Sequence, residues 1–296
     1  LKNVPLWLGG FLIAFLLFVA FIGPYLPMID MELNQERSRW VTEDKLALPA
    51  FKPSAKNWLG TDKNGVDNLS KLVVAAKSTL FMVTAIAVVR YLIGVPLGLL
   101  ARKKRGFFHS LVSFMEQIFS FMPPIFAAAL LLAIPFFLFT ENRIAWAIVI
   151  LAAVEAGRVA TTVQEQANQL SREPFMEAGI ALGLTSRKLM RNYYLPALVP
   201  QLIVNFCMDM GKAMLLLGQL AIIGIFISHE WKEVEEYTMQ FVETGVNWAT
   251  LLSSNRMDIY LGKMEFVIYP AGAMMLAIIA FNLFGEGLRR HFQLKG

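Results

Sequence analysis

Between Ser78 and Arg105 the chain reads STLFMVTAIAVVRYLIGVPLGLLARKKR. From Ser78 to Ala101 the run is apolar, interrupted by Arg90, and it ends on the basic cluster Arg102-Lys103-Lys104-Arg105. About 20 apolar residues suffice for a helix to cross a hydrocarbon core about 30 Å thick. Lysine and arginine gather at the cytoplasmic ends of such helices. The segment therefore predicts a membrane-spanning helix whose C-terminal end lies inside.

The rest of the sequence extends this pattern. The 296 residues are 56% hydrophobic and 17% charged, with a formal net charge of +5 and a mean hydropathy of +0.54. Soluble domains are about 25% charged, so the composition argues against a disordered, collagenous or ordinary soluble chain. The one cysteine, Cys207, allows no intrachain disulfide and no cysteine-rich metal site. Further apolar runs cover Pro5–Ile29, Gly106–Thr140 with Pro123-Pro124 inside, a fourth from Ile144, Tyr194–Ser228 and Phe266–Gly285. The first is too long for the apolar region of a signal peptide. These runs predict six transmembrane helices in an all-α membrane protein, since alternation over about 10 residues, the mark of barrel strands, is absent. Residues 1–29 form the first span, 30–76 an extracellular segment and 77–296 the core. Within the core lie a cytoplasmic loop at 171–192 and an extracellular insertion at 228–265.

Charge sets the expected orientation. Arg102–Arg105, the loop with Arg172, Arg187, Lys188 and Arg191, and the tail with Arg289, Arg290 and Lys295 are basic. The 228–265 insertion is acidic, with Glu230, Glu233, Glu235, Glu236, Glu243, Asp258 and Glu265. Both termini are therefore expected in the cytoplasm, and the net charge reflects topology rather than nucleic-acid binding.

Enzymatic motifs are weak. His109, His229 and His291 are scattered, and neither H-E-x-x-H nor G-x-S-x-G occurs. Gly60-Thr61-Asp62-Lys63-Asn64-Gly65 has the outline of a phosphate loop, but Val66-Asp67 follows where Lys-Ser/Thr is required. A turn leading into a helix accounts for it better. Charges inside the spans must face protein or water. Glu155/Arg158 and Asp209/Lys212 are each spaced to pair on one helix face. Asp209, Lys212 and the neighbouring Met208 are candidates for a pathway lining, against a structural ion pair and core filler. Glu155 and Arg158 suit a structural or interfacial role, and Arg90 and Glu116 suit packing, paired with each other or with a partner subunit. No residue set suggests a metal site.

The loop between spans four and five carries Glu177-Ala178-Gly179-Ile180-Ala181-Leu182-Gly183 and, after nine intervening residues, Tyr193-Tyr194-Leu195-Pro196. Glu173-Pro174 opens a short helix, Phe175, Ala178 and Leu182 share one face, and Gly183 permits a turn before Leu184. Such a helix suits docking into another protein's groove, or serves as a plain loop element.

This segment resembles the E-A-A-x3-G-x9-I-x-L-P signature of permease subunits of ATP-binding-cassette (ABC) importers, with Gly179 for the second alanine and Tyr193 for the isoleucine. Trp58-Leu59-Gly60-Thr61-Asp62-Lys63-Asn64-Gly65-Val66-Asp67-Asn68-Leu69-Ser70 is similar to the segment before span two in oligopeptide, dipeptide and nickel permeases. Ala280-Phe281-Asn282-Leu283-Phe284-Gly285-Glu286-Gly287-Leu288-Arg289 resembles a stretch of that family's second permease subunit, and Ala156-Gly157-Arg158 the region before the coupling loop. The sequence departs from the family in the acidic Ser228–Thr244 stretch, where a proline-rich link is usual, and near Leu217, where a glutamate is usual.

The resemblance implies a type I importer permease fold in a bacterial cytoplasmic membrane. It implies a coupling helix at about Glu173 to Leu189, with Glu177 and Gly183 at signature positions. The implied partners are a second homologous permease, two ATPase subunits, an external substrate-binding protein and membrane lipid. This chain would bind no cofactor, since ATP and magnesium would sit on the ATPases. A peptide-like cargo is expected, with nickel or a metal chelate as the alternative. An ATP-independent carrier or channel using Asp209 and Lys212 as a relay, and a membrane sensor or scaffold, are the readings from other classes. The acidic insertion is expected either to contact the binding protein or to be a solvated helical excursion.

Overall fold

The computed structural model describes residues 3–293 except 43–44, 141, 226, 236–237 and 244. The tail residue Lys295, and Glu236 and Thr244 of the acidic insertion, thus lie outside the described residues.

The long helices are α1 (Val4–Phe21), α2 (Asn68–Leu100), α6 (Arg143–Leu170), α9 (Leu195–Ile222) and α11 (Glu265–Gln293). Between them come α3 (Phe107–Ser120), α4 (Pro124–Leu132), α5 (Pro135–Leu138), α7 (Pro174–Ala181), α8 (Ser186–Leu189) and α10 (Trp248–Asn255). Among the described residues, α1, α2, α6 and α11 are long and apolar enough to cross a membrane. The pair α3 and α4 makes a fifth candidate, bent by 95°. Six spans are reached only by adding α9, whose 28 residues give about 42 Å of helix. Its apolarity is diluted by Asn205, Asp209, Lys212 and Gln219, so apolar character alone does not support the expected count of six.

Two further expectations need correction. The second helix starts at Asn68 rather than Ser78, because Asp67 caps it by accepting the Ser70 amide at 2.7 Å. The third apolar run is broken at Pro123-Pro124, as a proline pair requires: Pro123 lacks an amide to continue α3, and Pro124 starts α4 as its first residue. A small hairpin joins β1 (Arg39–Thr42) to β2 (Lys45–Ala47). The acidic stretch before α10 is not a helical excursion: His229–Glu235 (β3) and Thr238–Glu243 (β4) form an antiparallel hairpin.

The core lies between α2, α6, α9, α10 and α11. Val83, Ile86, Leu151, Met214, Leu217, Leu220 and Trp248 are buried in it. Trp248 pins α10 to α2: its amide donates to Thr79 Oγ1 at 2.9 Å and its indole Nε1 to the Leu72 carbonyl at 2.8 Å.

Small residues set how closely the helices approach. Gly94 and Gly98 lie one turn apart on α2 and face α6, where a Cβ on Gly94 would stand 2.8 Å from Val159. A Cβ on Gly98 would collide with the Ala160 carbonyl oxygen. Gly9 of α1 meets the Phe284 backbone of α11, and Gly287 of α11 meets Leu6 of α1. Glycine permits this backbone approach as it does at membrane-helix crossings in general. Gly98→Val is therefore expected to destabilise the protein by about 1–3 kcal/mol or more, because backbone rather than a flexible side chain must yield. Thermal unfolding in detergent measures it. Gly272→Ala, where a Cβ meets nothing within 4 Å, is the control expected to unfold like the parent.

The segment before α2 is held by local polar contacts. Glu36 pairs with Arg39 at 2.5 Å and with Lys56 at 3.1 Å. The hydrogen bond from Arg39 is the main force holding its carboxyl down at about 2. The Gly60–Gly65 stretch is a tied turn rather than an anion cradle. Asp62 accepts the amides of Asn64 and Val66, both at 2.9 Å, and pairs with Lys71. Its carboxylate thus occupies the loop that a phosphate would need.

Candidate functional site

Three helices contribute to a row of alternating charges. Arg90 comes from α2, Glu155 and Arg158 from α6, and Asp209 and Lys212 from α9. Arg90 lies 2.8 Å from Glu155, Glu155 lies 3.1 Å from Arg158, Arg158 lies 3.3 Å from Asp209, and Asp209 lies 3.1 Å from Lys212. Tyr91 donates its hydroxyl to the other oxygen of Asp209 at 3.1 Å.

Burial grades along the row. The Arg90 side chain is fully buried, while those of Arg158 and Lys212 are 42% and 48% exposed. Arg90 donates from Nη2 to the Leu151 carbonyl at 3.4 Å. Its Nε and Nη1, and Oε2 of Glu155, lack an aligned hydrogen bond. The 2.8 Å contact is therefore an ion pair held by charge, in a place where desolvation makes each charge depend on the other.

The two i,i+3 pairs expected from spacing are both present, and the structure joins them into one network. Of the two expectations for Arg90 and Glu116, pairing with each other or with a partner subunit, the first is corrected. Arg90 is taken by Glu155, and Glu116 accepts a hydrogen bond from Thr161 Oγ1 at 2.8 Å. The register of α2 on α6 decides this, because it brings Arg90 opposite Glu155.

The exposed end of the row borders a recess of about 130 Å³. Tyr91, Thr162, Asn205, Met208 and Lys212 are among the residues lining it. Met208 also packs against α11, where its Cγ would lie 2.9 Å from a Cβ on Gly285.

The recess continues into stripes that motif-based reading does not reveal. On α9, Gln201, Asn205, Met208, Lys212, Leu215, Gln219 and Ile222 recur at alternating steps of four and three, and each is exposed or half-buried. On α6, Arg158, Thr162, Glu165 and Gln169 repeat the same spacing and exposure. These steps keep residues on one helix face. Gln201, Asn205, Gln219, Thr162, Glu165 and Gln169 were not singled out from the sequence, although the spacing was there to be found. A polar stripe on a membrane helix faces protein or water rather than lipid.

The loop between α6 and α9 forms a second candidate surface. Met176 and Gly179 of α7 point inward, onto a cluster with Leu99, Val159, Val163, Leu189, Tyr194 and Leu198. Residues of α2, α6 and α9 thus anchor α7. Gly179, which stands where the signature has alanine, allows tight packing: a Cβ there would lie 3.0 Å from Leu189 Cδ2. Gly183 follows at φ +72°, in the left-handed region that glycine tolerates. Thr185 then caps α8, accepting from the Lys188 amide at 3.4 Å.

The opposite face of α7 is uncovered. Glu173, Phe175, Glu177, Ala178, Leu182 and Gly183 are exposed, and Leu184 is half-buried. Phe175 stacks on Tyr193 with ring planes 12° apart. The face predicted from Phe175, Ala178 and Leu182 is thus the one left free.

On the other side of the molecule the hairpin of β3 and β4 runs into α10. Asn247 donates to Ser228 Oγ at 2.6 Å and caps α10 through the Thr250 amide at 2.9 Å. Lys63 reaches Asp258 at 3.7 Å and ties the segment before α2 to the turn after α10.

Residues 94–295 match the family described as binding-protein-dependent transport system inner membrane component. The chain is 25% identical over 281 residues, 95% of this chain and 84% of the relative, to the glutathione transport system permease protein GsiD of Pectobacterium atrosepticum. It is 26% identical over 242 residues, 80% of this chain and 72% of each relative, to proteins of that name from Escherichia coli and Shigella boydii.

Proposed function

The chain belongs to the family of binding-protein-dependent transport system inner membrane components, and from that premise we propose that it lines the import pathway for a peptide-like cargo. As a member it is a permease of a peptide-type ABC importer in the bacterial inner membrane, a transport subunit and not an enzyme. This sets aside the ATP-independent carrier and the sensor or scaffold.

The proposal goes further in its partners. A second homologous permease faces the stripes of α6 and α9 and completes the pathway. Two ATPase subunits bind beneath, one of them at the free face of α7. An extracytoplasmic binding protein delivers cargo at the side of β3, β4 and α10. Both termini lie in the cytoplasm, in line with the basic clusters at Arg102–Arg105 and Arg289-Arg290. This chain holds no cofactor of its own, and ATP and magnesium act on the partner ATPases.

The observation that carries the pathway assignment is the α9 stripe. Four polar residues, Gln201, Asn205, Lys212 and Gln219, sit on one exposed face of α9, while Val199 and Ile203, exposed on another face, are apolar and Val204, Met214, Leu217 and Leu220 are buried. Against lipid the four polar residues would each be costly. Against a water-filled cleft between two permeases they are solvated. The names of the relatives support a peptide-like cargo over nickel.

The test is uptake by the complete transporter in proteoliposomes, with ATP inside and the binding protein outside. ATP-dependent accumulation of free-acid di- and tripeptides is the expected outcome. Nickel accumulation without peptide uptake would overturn the cargo assignment.

A further inference from the structure

We infer that Arg158 and Lys212 together form a binding position for a carboxylate of the cargo as it passes α9. This deepens the pathway assignment above and rests on it.

The charge balance motivates it. The row holds three cations, Arg90, Arg158 and Lys212, against two carboxylates, Glu155 and Asp209. Arg90 is buried against Glu155. Arg158 and Lys212 then converge on a single oxygen, Oδ1 of Asp209, while Oδ2 takes the Tyr91 hydroxyl. Both carboxylate contacts of Arg158 run through its Nη2. One positive charge is therefore in excess, and it lies at the half-exposed end of the row. An uncompensated charge between membrane helices attracts a counter-anion.

The surroundings suit a carboxylate from the cargo. The recess of about 130 Å³ beside the two cations admits a carboxylate and the group that bears it. Thr162 and Asn205 line the same recess and offer a hydroxyl and an amide. Neither nearby acid is an ion-pair partner of the row. Glu116 keeps its charge but reaches Thr161 rather than Arg158 or Lys212, and Glu165 lies two turns along α6, about 10 Å from Arg158. Asp209, itself buried, fixes the positions of both cations from behind. A peptide carries the required group at its C-terminus.

Lys212 gives the cleanest test, because its side chain is 48% exposed and its loss opens no core. The complete transporter in proteoliposomes is supplied with its binding protein and a pool of free-acid di- and tripeptides. Lys212→Gln is expected to lower the maximal uptake rate by about tenfold or more, the weight of one charged hydrogen bond. Half-saturation by the loaded binding protein should stay unchanged, and Lys212→Arg should stay within about twofold of the parent. The double variant Asp209→Asn with Lys212→Gln separates the roles: it should remain as slow as Lys212→Gln if the lysine serves the cargo. Recovery of uptake in the double variant would show that Lys212 only neutralises Asp209 and would overturn the inference. So would unchanged uptake by Lys212→Gln, or loss of the second permease from the purified Lys212→Gln complex, which would identify a partner carboxylate as the counter-ion. Failure of the parent transporter to import the pool would sink the peptide assignment first, and this inference with it.

Discussion

Leu182→Glu is expected to abolish uptake while leaving the permease folded. Leu182 is 79% exposed at the C-terminal end of α7, so its replacement removes no packing within the chain. Surface changes of this kind usually shift stability by about 0.5 kcal/mol or less. At the centre of a partner's groove the same change buries a carboxylate. Truncating a central interface residue often costs about 2–4 kcal/mol, or about a 30- to 1000-fold loss of affinity. Phe175→Glu acts on the same face, although it also breaks the stack on Tyr193. Glu177→Arg reverses a charge there. Gly183→Arg adds backbone strain at φ +72° to a site where a Cβ meets nothing within 4 Å. The check is co-purification of the ATPase subunits with the tagged permease, together with a thermal unfolding curve. Loss of the ATPases at an unchanged midpoint is expected. Stoichiometric ATPases with full transport would refute docking at this face.

Glu155→Leu is expected to be the most destabilising single change in the ionic row. It leaves the fully buried guanidinium of Arg90 without its partner at 2.8 Å and frees Arg158 from its contact at 3.1 Å. Removing one member of a buried pair typically costs about 3–5 kcal/mol. The double variant Arg90→Met with Glu155→Leu should recover most of that loss, since two apolar side chains replace two desolvated charges. Arg90→Met alone should cost less than Glu155→Leu, because Glu155 keeps Arg158. Thermal unfolding in detergent of the three variants measures this order. A double variant less stable than both singles would mean that the pair does more than satisfy its own charges.

Much of the molecule was legible in advance because the relevant signals are local. Apolar run length marks the long helices, the Pro123-Pro124 pair marks the break between α3 and α4, and the Glu177 to Pro196 spacing marks the loop that carries α7. The i,i+3 pairs Glu155/Arg158 and Asp209/Lys212 were legible for the same reason, since one helix turn fixes both partners. The hairpin of β3 and β4 was missed, although Trp231 and Lys232 pair with Phe241 and Gln240 in plain antiparallel register. Its acidic composition points either to contact with a binding protein or to a solvated helical excursion, and says nothing of which residues pair across the turn. The polar stripe of α9 was passed over for a different reason. Within the run from Tyr194 to Ser228, glutamine and asparagine read as interruptions until their common face is counted.

The amino-acid order thus determines a membrane protein of long helices with a short helix, α7, in the loop between α6 and α9. Run length, caps and turn residues act within a few positions of one another, so no knowledge of packing is needed. Tertiary structure alone decides that Arg90 meets Glu155 rather than Glu116, and that two separate pairs become one row across α2, α6 and α9. Those partners lie far apart in the chain. They meet because Gly94 and Gly98 let α2 approach α6 closely, which fixes the rotation and register of the two helices and, with them, which charges share the interior and which remain at its edge.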